Sequence, residues 1–143
     1  MRSPRWGIEQ QFTPPFMIYR FKKHYTREEA NTLLPEIRQW LERLNQLQQE
    51  LGRYEKRLGS LVGTGDDVGG ELANQWVKTL AEIKDVLAEF QTREIQIKDR
   101  ERGLIDFPAI IDGREAFLCW EQDEDIIEFW HDLETGYTGR ERL

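Results

Sequence analysis

Residues 26–61 read TREEANTLLPEIRQWLERLNQLQQELGRYEKRLGSL, and this stretch carries the strongest structural signal in the chain. Its first four residues form a capping box, in which Thr26 accepts a hydrogen bond from a first-turn N–H while Glu29 reaches back. Apolar residues then recur at spacings of four and three, the heptad pattern of a helix that packs along one seam. The pattern predicts a long helix over about residues 26–58. Its apolar positions are Ala30, Leu33, Ile37, Trp40, Leu44, Leu47, Leu51, Tyr54, Leu58 and Leu61.

Pro35 interrupts this pattern near its start. A proline inside a helix removes one backbone hydrogen bond and clashes with the preceding turn, and it pushes the residue before it towards extended backbone. We therefore expect the first two turns to kink or to form a separate short helix, followed by a second helix start near Leu34.

A second helix with the same period is predicted beyond a glycine-rich reversal. Five glycines fall within residues 59–70, which disfavours helix and lets the chain turn back. Two helices on either side of one reversal predict an antiparallel coiled-coil hairpin. Leu41, Val77 and Val86 flank its seams and need further helices, which a homodimer in a four-helix bundle would supply. The second seam, over about residues 71–93, consists of Ala73, Trp76, Leu80, Ile83, Leu87 and Phe90.

Short strands are predicted after the hairpin, because the apolar pattern changes from heptads to alternation and to runs of β-formers. The alternative, a second helix that continues to about Arg100, is less favourable because it would place Glu94 in the core. The predicted fold class is therefore α+β: a long antiparallel helical hairpin followed by a small antiparallel β-meander, in a single domain over residues 17–143. The candidate strands cover about residues 94–98, 104–111, 114–120 and 126–132.

The Asp112-Gly113 pair is typical of a two-residue type I′ turn, and the register of that hairpin places Asp106 opposite Cys119. A thiol becomes a nucleophile beside a cation, whereas a carboxylate opposite it favours the protonated form. The sequence therefore favours Cys119 as a packed strand residue over a nucleophile. Rapid labelling by a thiol reagent at neutral pH would contradict this interpretation.

The amino-terminal residues 1–16 contain three prolines and a glycine without periodicity, and we expect a loose extension there. Met17 follows directly and is an alternative start of translation, which the intact mass of the native protein would test. Residues 17–25 carry β-formers in partial alternation, which predicts a short strand.

Composition limits the class of protein and its partners. The 143 residues suit one domain, and the formal net charge of -7 would repel a phosphate backbone. Nucleic acid is therefore a poor candidate as partner. The single Cys119 excludes an intrachain disulfide, and no run of about 18 apolar residues is present. We expect a cytoplasmic protein that does not cross a membrane.

One basic cluster is the exception to the acidic composition. Nucleic-acid contact through it is the third hypothesis for this chain, although pairing with the acidic residues 121–134 is the simpler explanation. The cluster consists of Arg20, Lys22, Lys23, His24 and Arg27.

His131 is the residue most easily interpreted as a metal ligand. Glu128 and His131 show the Glu-x-x-His spacing by which helices of di-iron carboxylate proteins hold metal. In a strand over residues 126–132, however, the two side chains point to opposite faces and cannot share an ion. A hydrogen-bonded structural histidine is the favoured interpretation, and we expect no cofactor.

Several short motifs together resemble those of a known family, the bacterial and archaeal family catalogued as domain of unknown function 2203. The resemblance covers about residues 17–143, and Asp123 departs from it, since a glycine is expected before Glu124. The motifs are Tyr25-Thr26-Arg27-Glu28-Glu29-Ala30-Asn31, Leu33-Leu34-Pro35, Gly103-Leu104-Ile105-Asp106-Phe107-Pro108, Cys119-Trp120, Trp130-His131 and Gly139-Arg140.

The resemblance supports the architecture but implies no activity, ligand or catalytic residue. Its motif residues Asp106, Glu124, His131 and Arg140 are candidates for a site, or for a buried polar network that holds the sheet against the helices. Two functions of different classes follow. The first is a non-enzymatic homodimeric interaction protein, because a long heptad seam is present and no complete catalytic constellation is. It predicts that the four side chains are scattered or mutually hydrogen-bonded.

The alternative function is a small hydrolase or metal-binding enzyme with its site at the β-meander. A carboxylate would act as general base and an arginine would hold an anion. This hypothesis requires Asp106, Glu124, His131 and Arg140 to converge in one cleft.

Overall fold

The computed structural model describes residues 18–64 and 70–143 of the chain. The predictions for residues 1–16, for Met17 as a start and for the centre of the glycine-rich reversal lie outside these residues. Two helices, α1 (Arg27–Thr64) and α2 (Glu71–Gln91), are followed by a five-stranded sheet. Neither helix is long and apolar enough to cross a membrane.

The sheet is a meander in which each strand pairs antiparallel with the next one along the chain. A short 3-10 helix, Tyr137–Gly139, precedes the last strand. The predicted α+β class with an antiparallel meander is thereby confirmed. The strands are β1 (Gln96–Asp99), β2 (Leu104–Ile111), β3 (Arg114–Glu121), β4 (Phe129–Asp132) and β5 (Glu141–Arg142).

The first helix, α1, begins at the predicted capping box. The Glu29 N–H donates to Thr26 Oγ1 over 3.1 Å, and the Thr26 N–H donates to the Glu29 carboxylate over 3.0 Å. The helix then continues through Pro35 as one element, so the expected separate first helix is wrong. Burial of Leu34 and Ile37 beside the proline, worth about 1.5–3 kcal/mol each, offsets the roughly 3 kcal/mol cost of an interior proline.

The buried face of α1 is shifted relative to the predicted heptad positions. Leu34 and Leu41 are fully buried, whereas Leu33 and Trp40 are only half-buried. The prediction that Leu41 flanks the core is therefore wrong. The physical cause is that α1 packs against the sheet as well as against α2, so its buried stripe differs from a two-helix seam.

The two helices pack antiparallel, because their contacts pair rising residue numbers on α1 with falling numbers on α2. Trp40 packs edge-on against Phe90 with ring centroids 5.3 Å apart. Further along, Trp76 Nε1 donates to Glu55 over 3.2 Å. This arrangement agrees with the predicted helical hairpin, while its coiled-coil supercoil stays a prediction.

The β2–β3 hairpin has the predicted register, with Asp106 opposite Cys119. Asp112 and Gly113 connect the two strands with φ angles of 51° and 79°. Both angles lie in the left-handed region that a type I′ turn requires, which explains why the sequence carries Asp-Gly at this point.

Two strands begin later than predicted. The strand β1 begins at Gln96 rather than at residue 94, because Glu94 takes a φ of 59° in the turn that ends α2. The strand β4 begins at Phe129 rather than at residue 126, because the Ile127 N–H donates to the side chain of Asn31 over 2.8 Å instead of to a neighbouring strand.

Residues 18–25 form no strand, so the strand predicted over residues 17–25 is wrong in its described part. A backbone hydrogen bond from the Tyr25 N–H to the Pro108 carbonyl, 2.7 Å long, attaches this segment to β2. The two-residue strand β5 is missing from the sequence prediction because two residues are too few to show alternation.

Side chains alternate between the two faces of the sheet, and the faces have different partners. Ile105 and Trp120 lie on the face that packs against α1 and α2. Asp106 and Phe117 lie on the opposite face, which we call the far face. Phe21 packs on Phe117 there, with ring centroids 5.4 Å apart. The far face is therefore covered by chain segments outside the hairpin.

Candidate functional site

Asp106 and His131 form a buried ion pair on the far face. Asp106 lies on β2 and His131 on β4, with β3 between them, and each side chain is only 2% exposed. His131 Nε2 lies 2.9 Å from Asp106 Oδ2. The other ring nitrogen, Nδ1, lies 2.7 Å from the carbonyl oxygen of Asp132. Both ring nitrogens therefore have a close partner.

These partners decide the protonation state of His131. A carbonyl oxygen and a carboxylate both accept hydrogen bonds, so both ring nitrogens donate and the ring is an imidazolium. Burial by itself would lower the pKa of His131. Hydrogen bonds to Asp106, to Cys119 and to the Asp132 carbonyl outweigh burial and raise this pKa to about 10.

Cys119 lies next to the Asp106–His131 pair and is fully buried. Its Sγ, a ring nitrogen of His131 and a carboxylate oxygen of Asp106 all lie within 4.8 Å of one another. Arg140 Nη1 is 3.9 Å from the same sulfur. The burial agrees with the predicted packed strand residue. Its two cationic neighbours, His131 and Arg140, however, lie outside the β2–β3 hairpin on which the prediction was based.

Glu124 and Arg140 form a second ion pair beside this cluster. Arg140 donates from Nη2 to Glu124 Oε2 over 2.6 Å and from Nη1 to Oε1 over 3.3 Å. Two-point contacts of this kind between guanidinium and carboxylate are strong and directional. Because Arg140 also contacts Cys119, the Glu124–Arg140 pair and the Asp106–His131 pair join into one polar network.

The turn that carries Glu124 is held in place by α1. Arg38 donates to the Gln122 carbonyl over 2.7 Å and to the Glu124 carbonyl over 2.8 Å. Trp120 Nε1 donates to the same Glu124 carbonyl over 2.9 Å. Asp123 does not take a positive φ, so this turn does not need the glycine of the family pattern. Arg38 is missing from the sequence prediction because no local pattern links α1 to this turn.

A cavity of about 210 Å³ adjoins the buried pair. Asp106 and His131 line it together with residues that include Lys98, Leu133 and Tyr137. Within the described residues, Asp106 Oδ1 has no hydrogen-bond partner although it is buried. Leaving a buried carboxylate oxygen without a donor is costly. Among the buried side-chain nitrogen and oxygen atoms of the described residues, this oxygen is therefore the one that still needs a hydrogen-bond donor or another ligand.

The structure brings all four predicted site residues into one region, as two hydrogen-bonded pairs rather than four free groups. Cys119 contacts both pairs, so a residue that was predicted to be only a packed strand residue lies at the centre of the polar network. A carboxylate, an imidazole and a thiol within reach of one another are the side-chain types that bind divalent transition metals.

Two other predicted groups lie outside this cluster. Glu128 pairs with Arg142 over 2.5 Å at the sheet edge, while His131 turns into the buried cluster. In the basic cluster, Arg20 pairs with Glu134 over 2.7 Å, as expected from pairing with the acidic segment.

Fold and site together define a class of α+β protein. A helical hairpin covers one face of its meander, and a buried charged network surrounds a thiol on the far face of the same sheet. The family model described as "Uncharacterized conserved protein (DUF2203)" matches residues 23–143. The chain belongs to this family, which confirms the resemblance of its motifs. No curated protein and no solved structure gives a significant match.

Proposed function

We propose that this protein is a non-enzymatic, cytoplasmic interaction protein that pairs with a second copy of itself through the outer hairpin, meaning residues 48–61 and 70–80. The observation that carries the proposal is the apolar surface that this segment leaves uncovered. Between Ala30 and Leu47, α1 buries six apolar side chains, whereas no residue from 48 to 61 is fully buried.

The outer hairpin exposes apolar side chains on and beside its own heptad seam. Val77 is 56% exposed and Leu80 is 37% exposed. Leu51, Tyr54 and Trp76 are half-buried. Two helices cover each other on one side only, so apolar positions beside the seam remain in contact with water. A four-helix bundle of two copies would remove this surface from water, at roughly 25 cal/mol for each Å².

The charges of the outer hairpin favour a second copy as its partner. Although the whole chain carries a net charge of -7, this segment has no excess of negative charge. A surface that carries charges of both signs can pack against an identical surface without net repulsion. Two-fold pairing is also the commonest symmetry of homo-oligomers. The basic residues are Arg53, Lys56, Arg57 and Lys78, and the acidic residues are Glu50, Glu55 and Glu71.

The pairing within the polar network supports the non-enzymatic interpretation. Arg140 is occupied by Glu124, and the Asp106 carboxylate faces the imidazolium of His131. A general base must be free to accept a proton, and an anion-binding arginine must be free to meet its ligand. The alternative, a hydrolase at the meander, would therefore need Arg140 to leave Glu124 before this arginine could hold an anionic substrate.

Light scattering coupled to size-exclusion chromatography is expected to give twice the 17.1 kDa mass of the chain. The double variant Val77→Glu/Leu80→Glu places two charges in the proposed interface. Each charge should weaken pairing by at least about tenfold, or about 1.4 kcal/mol. We expect this variant to be monomeric at concentrations where the wild type is dimeric, with unchanged helix content by circular dichroism.

The matched control is Ile110→Glu, because Ile110 is 40% exposed but lies at the end of β2. This variant should remain dimeric. A wild-type chain that stays monomeric at every concentration, or a double variant that pairs as tightly as the wild type, would refute the proposal. Loss of the dimer in Ile110→Glu alone would place the interface on the sheet.

A further inference from the structure

Independently of self-association, we infer that Asp106, Cys119 and His131 bind one divalent transition-metal ion of the zinc type. The three side chains lie on adjacent strands of the far face and are all buried. Thiolate, imidazole and carboxylate are each common zinc ligands, and three protein ligands are the number found in zinc sites that keep one position open.

The distances require only a small rearrangement. Zinc–ligand bonds of roughly 2.0–2.3 Å place the ligand atoms of a tetrahedral site about 3.3–3.8 Å apart. In this cluster, one atom from each of the three residues lies within 4.8 Å of the other two. His131 Nε2 and Asp106 Oδ2, now 2.9 Å apart, would separate slightly to admit the ion.

Two independent features of the hydrogen bonding point to an ion. The first is Asp106 Oδ1, a buried carboxylate oxygen without a partner among the described residues. The second is the bond between His131 Nδ1 and the Asp132 carbonyl, 2.7 Å long. Metal-binding histidines usually donate one ring N–H to a backbone carbonyl or a carboxylate, which orients the other nitrogen towards the ion.

The charges of the site balance with an ion bound. A dication with the thiolate of Cys119 and the carboxylate of Asp106 is neutral overall, which a buried position requires. Binding transfers the thiol proton of Cys119 and the second ring proton of His131 to solvent. Arg140 Nη1, 3.9 Å from the sulfur, places a hydrogen-bond donor beside the proposed ligand.

The adjoining cavity has room for the fourth ligand. Its volume of about 210 Å³ exceeds the space that one water molecule needs, and Asp106 and His131 both line it. A water molecule in this cavity would complete the tetrahedral coordination of the ion.

A titration of the full chain with Co²⁺, after removal of metal by a chelator, tests this proposal. We expect one Co²⁺ for each chain, a near-ultraviolet charge-transfer band from the thiolate, and displacement of Co²⁺ by Zn²⁺. Cys119→Ser should lose that band, and both Cys119→Ser and Asp106→Asn should weaken binding by at least about tenfold. Circular dichroism will show that the variants are folded.

The matched control is Glu115→Gln, which removes the other histidine–carboxylate pair. His24 Nε2 lies 2.8 Å from Glu115 Oε2, at a site without a thiol. This variant should bind Co²⁺ as the wild type does. The proposal is overturned if the wild-type chain binds neither Co²⁺ nor Zn²⁺ stoichiometrically, if the complex lacks a thiolate band, or if folded Cys119→Ser binds as tightly as the wild type.

Discussion

Replacing His131 by leucine is expected to lower the free energy of unfolding of the chelator-treated protein by about 3–5 kcal/mol. The substitution keeps a similar side-chain volume but removes the cation that is hydrogen-bonded to Asp106. The Asp106 carboxylate, 2% exposed, is then left buried without its counter-charge. Unfolding by urea at neutral pH, in the presence of chelator, measures the loss.

Two further variants separate the charge effect from a packing effect. In the double variant Asp106→Leu/His131→Leu no charge of this pair remains buried, so the loss of stability should be smaller than in His131→Leu alone. Arg142→Leu breaks the more exposed pair with Glu128 and should cost only about 0–1 kcal/mol. If His131→Leu is no more harmful than Arg142→Leu, the buried pair does not stabilise the fold.

The pH dependence of stability provides a separate prediction for the metal-free protein. The pKa of His131 is raised from 6.5 to about 10 by folding, so the folded state holds the proton more tightly than the unfolded state. This contribution is fully present below about pH 6.5 and is lost as the pH rises through about 10. Urea unfolding over this range should show a decline in the wild type, and a much weaker one in His131→Leu.

Replacing Trp120 by alanine is expected to cost about 3–5 kcal/mol of stability. Trp120 is fully buried, and its ring lies 4.9 Å from the guanidinium of Arg38. Its indole N–H also donates to the Glu124 carbonyl. Alanine would leave a large cavity between the sheet and α1 and would loosen the turn that carries Glu124. Unfolding by urea, followed by circular dichroism, measures the effect.

Trp120→Phe distinguishes packing from hydrogen bonding at this position. Phenylalanine keeps most of the apolar bulk, and the Glu124 carbonyl retains its bond from Arg38, so we expect a loss of only about 1–2 kcal/mol. Trp130→Ala, at a half-buried position on β4, is the control and should cost less than Trp120→Ala. Equal losses in the two alanine variants would contradict the central role of Trp120.

Much of the fold can be predicted from sequence because its signals are local. The capping box joins Thr26 to Glu29, three residues apart, and the type I′ turn needs only Asp112 and Gly113 to set the register of two strands. The separate short helix predicted from Pro35 is wrong for an equally physical reason. A local rule gives the cost of an interior proline, but not the burial of the neighbouring residues that offsets it.

The candidate site could be predicted only in part. The family motifs indicated Asp106, Glu124, His131 and Arg140, but not which of them pair. Asp106 and His131 are 25 residues apart and meet because β2 and β4 flank β3. Arg38 and Glu124 are 86 residues apart and meet because α1 packs beside the turn after β3. Contacts of this kind depend on how elements stack, and no spacing in the chain encodes them.

By itself, then, the sequence determined a helical hairpin followed by a meander, because heptad spacing, capping and turn chemistry act over a few residues. The tertiary structure alone decided that the buried apolar side chains of α1 between Ala30 and Leu47 join one core with the sheet, and that the outer hairpin is left partly uncovered. It also decided that Cys119 lies among Asp106, His131 and Arg140. Burial and long-range pairing arise only when the helices and the sheet pack together. That packing gives the charged side chains and the thiol the neighbours that determine their chemistry.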